Sequence, residues 1–221
     1  VPTGALLQSE AIMMLEGALP EQGQLLFDAG NCADSALHYL TVPKGLSTTI
    51  ALGMGGMGYA IPGAVGAQLA ASPEDRTVVL CGDGAFLMLG MEVHTAVDLG
   101  LPILFVVFNN GGHGMCVTRQ QLYFESRIEC SQYAEPSVAQ IARGFGNDNQ
   151  IWVQSAETTN ELENALAALN RWDWRGPAVL ELVLRHEEVP PFTPFLDADA
   201  PVGDLNDLTT RQNDTMRAVA A

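Results

Sequence analysis

Two unbroken apolar runs stand out along the chain. Thr77-Val78-Val79-Leu80-Cys81 and Pro102-Ile103-Leu104-Phe105-Val106-Val107-Phe108 carry no alternating polar positions. That pattern predicts strands buried on both faces, as in a parallel sheet. Between them, residues 85–100 have helical length, with Leu89, Val93 and Val97 at four-residue intervals. Strand, helix and strand then form a right-handed crossover unit.

The remaining pattern is shorter and more broken. Residues 8–18 read as a helix with Ile12 and Leu15 on one face. Leu25-Leu26-Phe27 reads as a short buried strand, opening into a polar loop from Asp28 to Cys32. Thr48–Leu52 predicts another strand, followed by the glycine-rich turn Gly53–Gly58 and a small-residue helix opened by Pro62. Residues 111–135 read as a long loop carrying Tyr123, Phe124 and Tyr133. Pro136–Arg143 predicts a short helix and Ile151-Trp152-Val153 a strand. Thr158 and Glu161 have the spacing of a capping box, ahead of a helix bearing Leu162, Leu166 and Leu169. Ala178–Leu184 is the last buried strand, and from His186 the pattern fails. The expectation is one α/β domain over residues 1–185, three layers with a mostly parallel central sheet flanked by helices, and an extended tail over 186–221.

Composition narrows the choice of partner. The 221 residues are 48% hydrophobic, enough for a full core, and the formal net charge is −16 with only ten Lys and Arg. Nucleic acid and anionic membranes are therefore not expected partners. A phosphate ligand would need a metal ion or backbone N–H groups. Cys32, Cys81, Cys116 and Cys130 form no CxxC pair, and they read as reduced thiols of a cytoplasmic protein. There is no signal-peptide pattern and no apolar run of bilayer length. A single sequon at Asn213 carries little weight.

The candidate chemistry lies where the two long strands end. Gly82-Asp83-Gly84 closes the first and Asn109-Asn110 the second, with 24 residues between Gly84 and Asn109. Ligands of parallel sheets bind at the carboxyl ends of the strands. A carboxylate and a carboxamide there suit magnesium, which takes one or two protein oxygens plus substrate phosphates and water. Glycines 82 and 84 let backbone N–H groups approach a phosphate. Each half alone is also an ordinary strand-ending turn; the pairing makes the signal. His113 is the histidine nearest this site, while His38, His94 and His186 pair with no nucleophile. Glu92 reads as structural. Gly53–Gly58 also matches G-x-G-x-x-G, which keeps open an oxidoreductase binding NAD or flavin dinucleotide. Against that, Asp83 lies 25 residues past Gly58, beyond the roughly twenty expected of the ribose-binding carboxylate, and the Asn pair has no role there.

The GDG…NN pair resembles the cofactor signature of the thiamine-diphosphate enzymes. Gly55-Gly56-Met57-Gly58-Tyr59-Ala60-Ile61-Pro62, Asn110-Gly111-Gly112-His113-Gly114-Met115 and Glu187-Glu188-Val189-Pro190-Pro191 are similar to the acetolactate synthase group. The resemblance runs from about residue 5 to 195 and covers the diphosphate-binding (PP) domain of those enzymes. It implies thiamine diphosphate and Mg2+ as cofactors. Asp83, Asn110 and the Gly112 carbonyl would be metal ligands. Ala29, Gly30, Asn31, Cys32, Gly82, Gly84, Ala85, His113, Gly114 and Met115 would surround the diphosphate. Met57 would be the wedge that bends the cofactor, and the Gly55 carbonyl would accept a hydrogen bond from its aminopyrimidine. Two departures stand out: Asn31-Cys32 replaces Gln-His, and His113 replaces an apolar residue.

The resemblance also implies a partner, because the activating glutamate comes from a pyrimidine-binding domain that this chain does not show. The expectation is a split enzyme, with a second polypeptide supplying that glutamate in a heterotetramer or larger assembly; the alternative is that the chain is a fragment of a longer one. The leading reaction is decarboxylation of a 2-oxo acid with carboligation to an acyloin or acetohydroxy acid. A 2-oxo acid decarboxylase, and a non-catalytic subunit keeping the fold, are the alternatives.

Overall fold

The computed structural model of the protein describes residues 4–72, 74–185, 188 and 191. The proposed tail from His186, apart from Glu188 and Pro191, lies outside them, as does the Asn213 sequon. The two long apolar runs form neighbouring strands, β3 (Arg76–Gly82) and β4 (Ile103–Asn109), paired in parallel with Val79 opposite Phe105. Around them lie β1 (Gly23–Phe27), β2 (Leu46–Ile50), β5 (Trp152–Ala156) and β6 (Ala178–Val183). The order is β2-β1-β3-β4-β6-β5, and every pairing is parallel.

Because side chains alternate across a strand, each run feeds two cores. Val78, Leu80, Leu104, Val106 and Phe108 face one side, with α1 (Gln8–Leu15), α2 (Asn31–Tyr39) and α8 (Thr159–Leu169). Val79, Cys81, Ile103, Phe105 and Val107 face the other, with α3 (Ala60–Ala70), α4 (Asp83–Leu89), α5 (Glu92–Asp98) and α7 (Val138–Arg143). This is the expected three-layer α/β arrangement. The Thr158–Glu161 capping box forms as anticipated at the start of α8.

Three expectations need correction. The helix over 85–100 is two helices, α4 and α5, broken at Gly90-Met91. There the Gly90 N–H donates to Phe86 O at 2.6 Å, and the next turn tightens to three-residue bonds. As a result Val93 and Val97 are buried, but Leu89 is exposed. The polar loop after β1 contains α2, and the long loop after β4 contains α6 (Gly114–Tyr123). Neither has a side-chain N-cap. Asn, Asp and Ser open α2, while α6 buries only Val117. The buried face of α2 is made of small residues, Cys32, Ala33, Ser35 and Ala36, and α6 has no apolar stripe, so neither carries a strong helix signal in sequence.

Candidate functional site

In this strand order β1 connects outward to β2, while β3 continues the sheet in the opposite direction. α2 leaves β1 on one face and α4 leaves β3 on the other. The diverging helices open a crevice at the carboxyl ends of these strands, the usual ligand position in an open α/β sheet. A cleft of about 170 Å³ occupies it.

Four segments build its wall. Ala29, Gly30, Asn31 and Cys32 come from the β1–α2 turn, and Gly82, Asp83, Gly84 and Ala85 from the β3–α4 turn. Asn110, Gly112, His113, Gly114 and Met115 follow β4, and Gly55 and Met57 come from the glycine turn. Every residue singled out for the cofactor from sequence thus lies around one cavity. The glycine turn follows β2, an edge strand, rather than a strand at the crevice. It does not stand where a dinucleotide fingerprint belongs.

Asp83 is buried, and its carboxylate accepts the Gly111 N–H at 3.0 Å. Burial raises its pKa, while nearby Tyr133 and the N–H groups of Gly84, Gly111 and Gly112 pull it back. Asn110 Oδ1 accepts the Gly112 N–H at 3.3 Å, and the Gly112 carbonyl accepts from Gly114 N at 3.1 Å. A Cβ on Gly114 would lie 2.9 Å from Asn110 Nδ2 and 3.0 Å from Asn31 Nδ2, so two turns meet there. Among the described residues no cluster of three His, Cys, Asp or Glu could hold a metal. A cation would rest on the Asp83 carboxylate, the Asn110 amide and the Gly112 carbonyl, with remaining oxygens from its ligand. That donor set suits magnesium with a diphosphate.

The cradle also fits an anion. A Cβ on Gly84 would lie 2.6 Å from His113 Nδ1, which is itself buried and has no hydrogen-bond partner among the described residues. Among the described residues of the cleft wall Arg119 is the one Lys or Arg, and it is exposed. Asn109, the other half of the Asn pair, faces elsewhere: its Nδ2 donates to Pro136 O and to buried Glu181. Glu181 also accepts the Val138 and Ala139 N–H groups at the start of α7. Thr95 donates to Glu92 at 2.9 Å, a local helix contact.

Sequence reasoning missed several residues. Gln8 reaches the wall from α1 and donates to Asn31 O and Ser35 Oγ. Phe108, Cys116, Arg119 and Leu184 also line the cleft. Asp28 is the most consequential omission. It is fully buried and accepts N–H groups from Ala29, Gly58 and Ala60 at 3.0, 2.8 and 2.8 Å. It thereby fastens the glycine turn, and with it Met57, to the end of β1. The available signal was a carboxylate closing an apolar run, as Asp83 closes its own. Burial, reinforced by the Asp28 charge, pushes the Cys32 thiol up to about 12, so it sits on the wall as a neutral group.

Burial raises the pKa values of Asp28, Asp34 and Asp83. A raised carboxylate favours the folded state once protonated. Its contribution is complete below the ordinary carboxylate range and is lost as pH rises through the folded value. The cofactor-free protein is therefore expected to melt at higher temperature as pH falls from neutral into the carboxylate range. Falling repulsion among the excess acidic groups acts in the same direction. Glu161 has a lowered pKa and opposes the trend, but it is almost fully exposed and screened. Calorimetry across this range checks the slope, and Asp28→Asn should flatten it.

The chain matches the family described as thiamine pyrophosphate enzyme, C-terminal TPP binding domain, over residues 28–182. It is 31% identical over 183 residues to a sulfoacetaldehyde acetyltransferase of Castellaniella defragrans, covering 83% of this chain and 30% of that protein. It is 30% identical over 155 residues to the mitochondrial acetolactate synthase of Schizosaccharomyces pombe, covering 70% of this chain and 22% of that protein. The chain therefore spans less than a third of these relatives' length. A benzoylformate decarboxylase from Polynucleobacter necessarius shares the fold, with a TM-score of 0.69 at 20% identity, covering 82% of this chain and 34% of that one.

Proposed function

Since the chain belongs to the thiamine pyrophosphate enzymes through their C-terminal TPP-binding domain, we propose that it is the diphosphate-binding subunit of a split carboligase acting on 2-oxo acids. The observation that carries this reading is the meeting of Asp83, Asn110 and Gly112 with the glycine-led cradle at the switch in strand order. Asp83, Asn110 and the Gly112 carbonyl would hold Mg2+. Residues 29–32, 82, 84, 85 and 113–115 would surround the diphosphate. Met57, braced on the core beneath α3, is the apolar rest for the organic part, and the Gly55 carbonyl is an acceptor for its amino group. When bound, thiamine diphosphate supplies the electron sink on which a 2-oxo acid can lose carbon dioxide. The acetolactate synthase relatives favour transfer of the remaining carbons to a second carbonyl.

A second polypeptide completes the site with a pyrimidine-binding domain and its glutamate. Support comes from the surface beside the cleft. Leu52, Met54 and Tyr59 are exposed around the glycine turn, and Leu87, Met88, Leu89 and Met91 around the end of α4. A Cβ on Gly58 would lie 2.9 Å from Leu89 Cδ1, which joins the two groups into one apolar face. Such a face marks an interaction surface.

The test is native mass spectrometry of the complex isolated with magnesium, followed by product analysis. A second polypeptide, bound thiamine diphosphate and a new carbon–carbon bond with an added acceptor are expected. A homo-oligomer without that cofactor would overturn the assignment, and so would heat protection by NAD instead. Carbon dioxide release with no coupled product for any acceptor would make the protein a 2-oxo acid decarboxylase subunit.

A further inference from the structure

Behind the metal end of the cleft, residues 129–133 return from α6 as a strap. The His113 N–H donates to Ser131 O at 2.8 Å and the Tyr133 N–H to Gly111 O at 3.1 Å, with an antiparallel bridge between Gly112 and Gln132. Gln120 on α6 clamps the strap from outside. Its Nε2 donates to Glu129 O at 2.9 Å, while its Oε1 accepts from Ser131 Oγ at 2.9 Å and Glu129 N at 3.3 Å. A Cβ on Gly112 would lie 2.8 Å from Ser131 O, so only glycine permits this approach. Within the strap only Ser131 is buried, so apolar burial does not explain such close fastening.

What the strap delivers is the ring of Tyr133. It meets the His113 ring edge-on, with centroids 5.2 Å apart and planes at 73°. Its hydroxyl lies 3.2 Å from where a Cβ on Gly84 would stand. That oxygen is buried and makes no well-formed hydrogen bond, yet Asp83 is near enough for its carboxylate to help raise the phenol's pKa, after burial. A buried hydroxyl left unpaired costs about 1–3 kcal/mol, so its place beside Asp83 calls for a reason. Tyr133 does not itself line the cleft, and any effect on a ligand must pass through a neighbour.

We propose that Tyr133 is a positioning residue for the metal centre: its hydroxyl, unpaired in the cofactor-free fold, donates to the Asp83 carboxylate when a divalent cation binds and, with the Gly111 N–H, orients that group toward the ion. The inference rests on the reading of Asp83 as a metal ligand. A phenol suits the task because it is a neutral donor that does not bring a competing negative charge. It restrains the carboxylate as outer partners restrain metal ligands elsewhere, where their loss costs about 10–100-fold in affinity.

The experiment is Mn2+ binding by electron paramagnetic resonance on the intact complex with thiamine diphosphate, comparing the parent with Tyr133→Phe, Gln120→Ala and Asp83→Asn. Tyr133→Phe should weaken Mn2+ binding about 10–100-fold while leaving the melting temperature of the cofactor-free protein unchanged or slightly raised. Gln120→Ala, which frees the strap but keeps the phenol, should weaken it less and in the same direction. If Tyr133→Phe binds Mn2+ like the parent while Asp83→Asn does not bind it, Tyr133 is idle and the metal site stands. If Asp83→Asn also binds like the parent, the metal reading fails and takes this inference with it.

Discussion

Asp28→Ala should be the most destabilising single change in the site, lowering stability by about 3 kcal/mol. The Asp28 carboxylate accepts the Gly58 and Ala60 N–H groups in buried surroundings and the Ala29 N–H at its own turn. Removing it strands two buried donors, at roughly 1–3 kcal/mol each. Relief from burying a charge, the main cause of its raised pKa, gives some of that back. For a domain of this size the melting temperature should fall by about 6–12 °C. Asp28→Asn keeps one acceptor oxygen and should lose about half as much. Thermal denaturation of the cofactor-free protein measures both. An Asp28→Ala protein as stable as the parent would mean that desolvation outweighs the hydrogen bonds and that the glycine turn is fixed by other contacts.

Asp83→Ala should do the reverse, with a small effect on folding and a large one on ligand binding. The change removes the bond from Gly111 N at 3.0 Å and the weaker support of Tyr133 and the Gly84 and Gly112 N–H groups, together with the cost of a buried carboxylate. These nearly cancel, so the melting temperature of the cofactor-free protein should move by no more than a few degrees. Divalent-metal affinity in the presence of thiamine diphosphate should fall by more than about 100-fold, beyond what loss of an outer partner does. Heat protection by thiamine diphosphate and magnesium together should vanish. Titration calorimetry and melting curves separate the two effects. Protection that survives Asp83→Ala would place the metal elsewhere and favour a non-catalytic subunit.

Much of the architecture was readable because it is written locally. The runs 78–81 and 102–108 are apolar at successive positions, and their short length, β-branched content and flanking Gly and Pro favour a strand covered on both faces over a buried helix. Thr158 and Glu161 cap α8 from three residues apart, a contact the chain makes with itself. The GDG and NN pairs end strands that the pattern had already placed, so their position at one edge of a parallel sheet followed. The glycine-led turns around Asn31 and His113 were legible as polar segments, though not as the starts of helices. α2 and α6 lack side-chain caps, the buried face of α2 is built of small residues and α6 buries only Val117, so neither announces a helix strongly.

What sequence alone determined is therefore the layered parallel sheet, the polar residues that close its two central strands, and the family to which they point. These depend on neighbours within a turn or on a strand's own alternation. Tertiary structure alone decided that Asp28 binds the turn at Gly58 and Ala60, that Asn109 serves Glu181 while Asn110 faces the cleft, and that Tyr133 stands behind Asp83 and Gly84. Each joins residues from 30 to 72 positions apart, with Tyr133 at 49 and 50 from its neighbours. No local pattern encodes which buried donor will find which acceptor once the layers close. That choice belongs to packing, where an unpaired polar group is costly and only the assembled fold offers the partner.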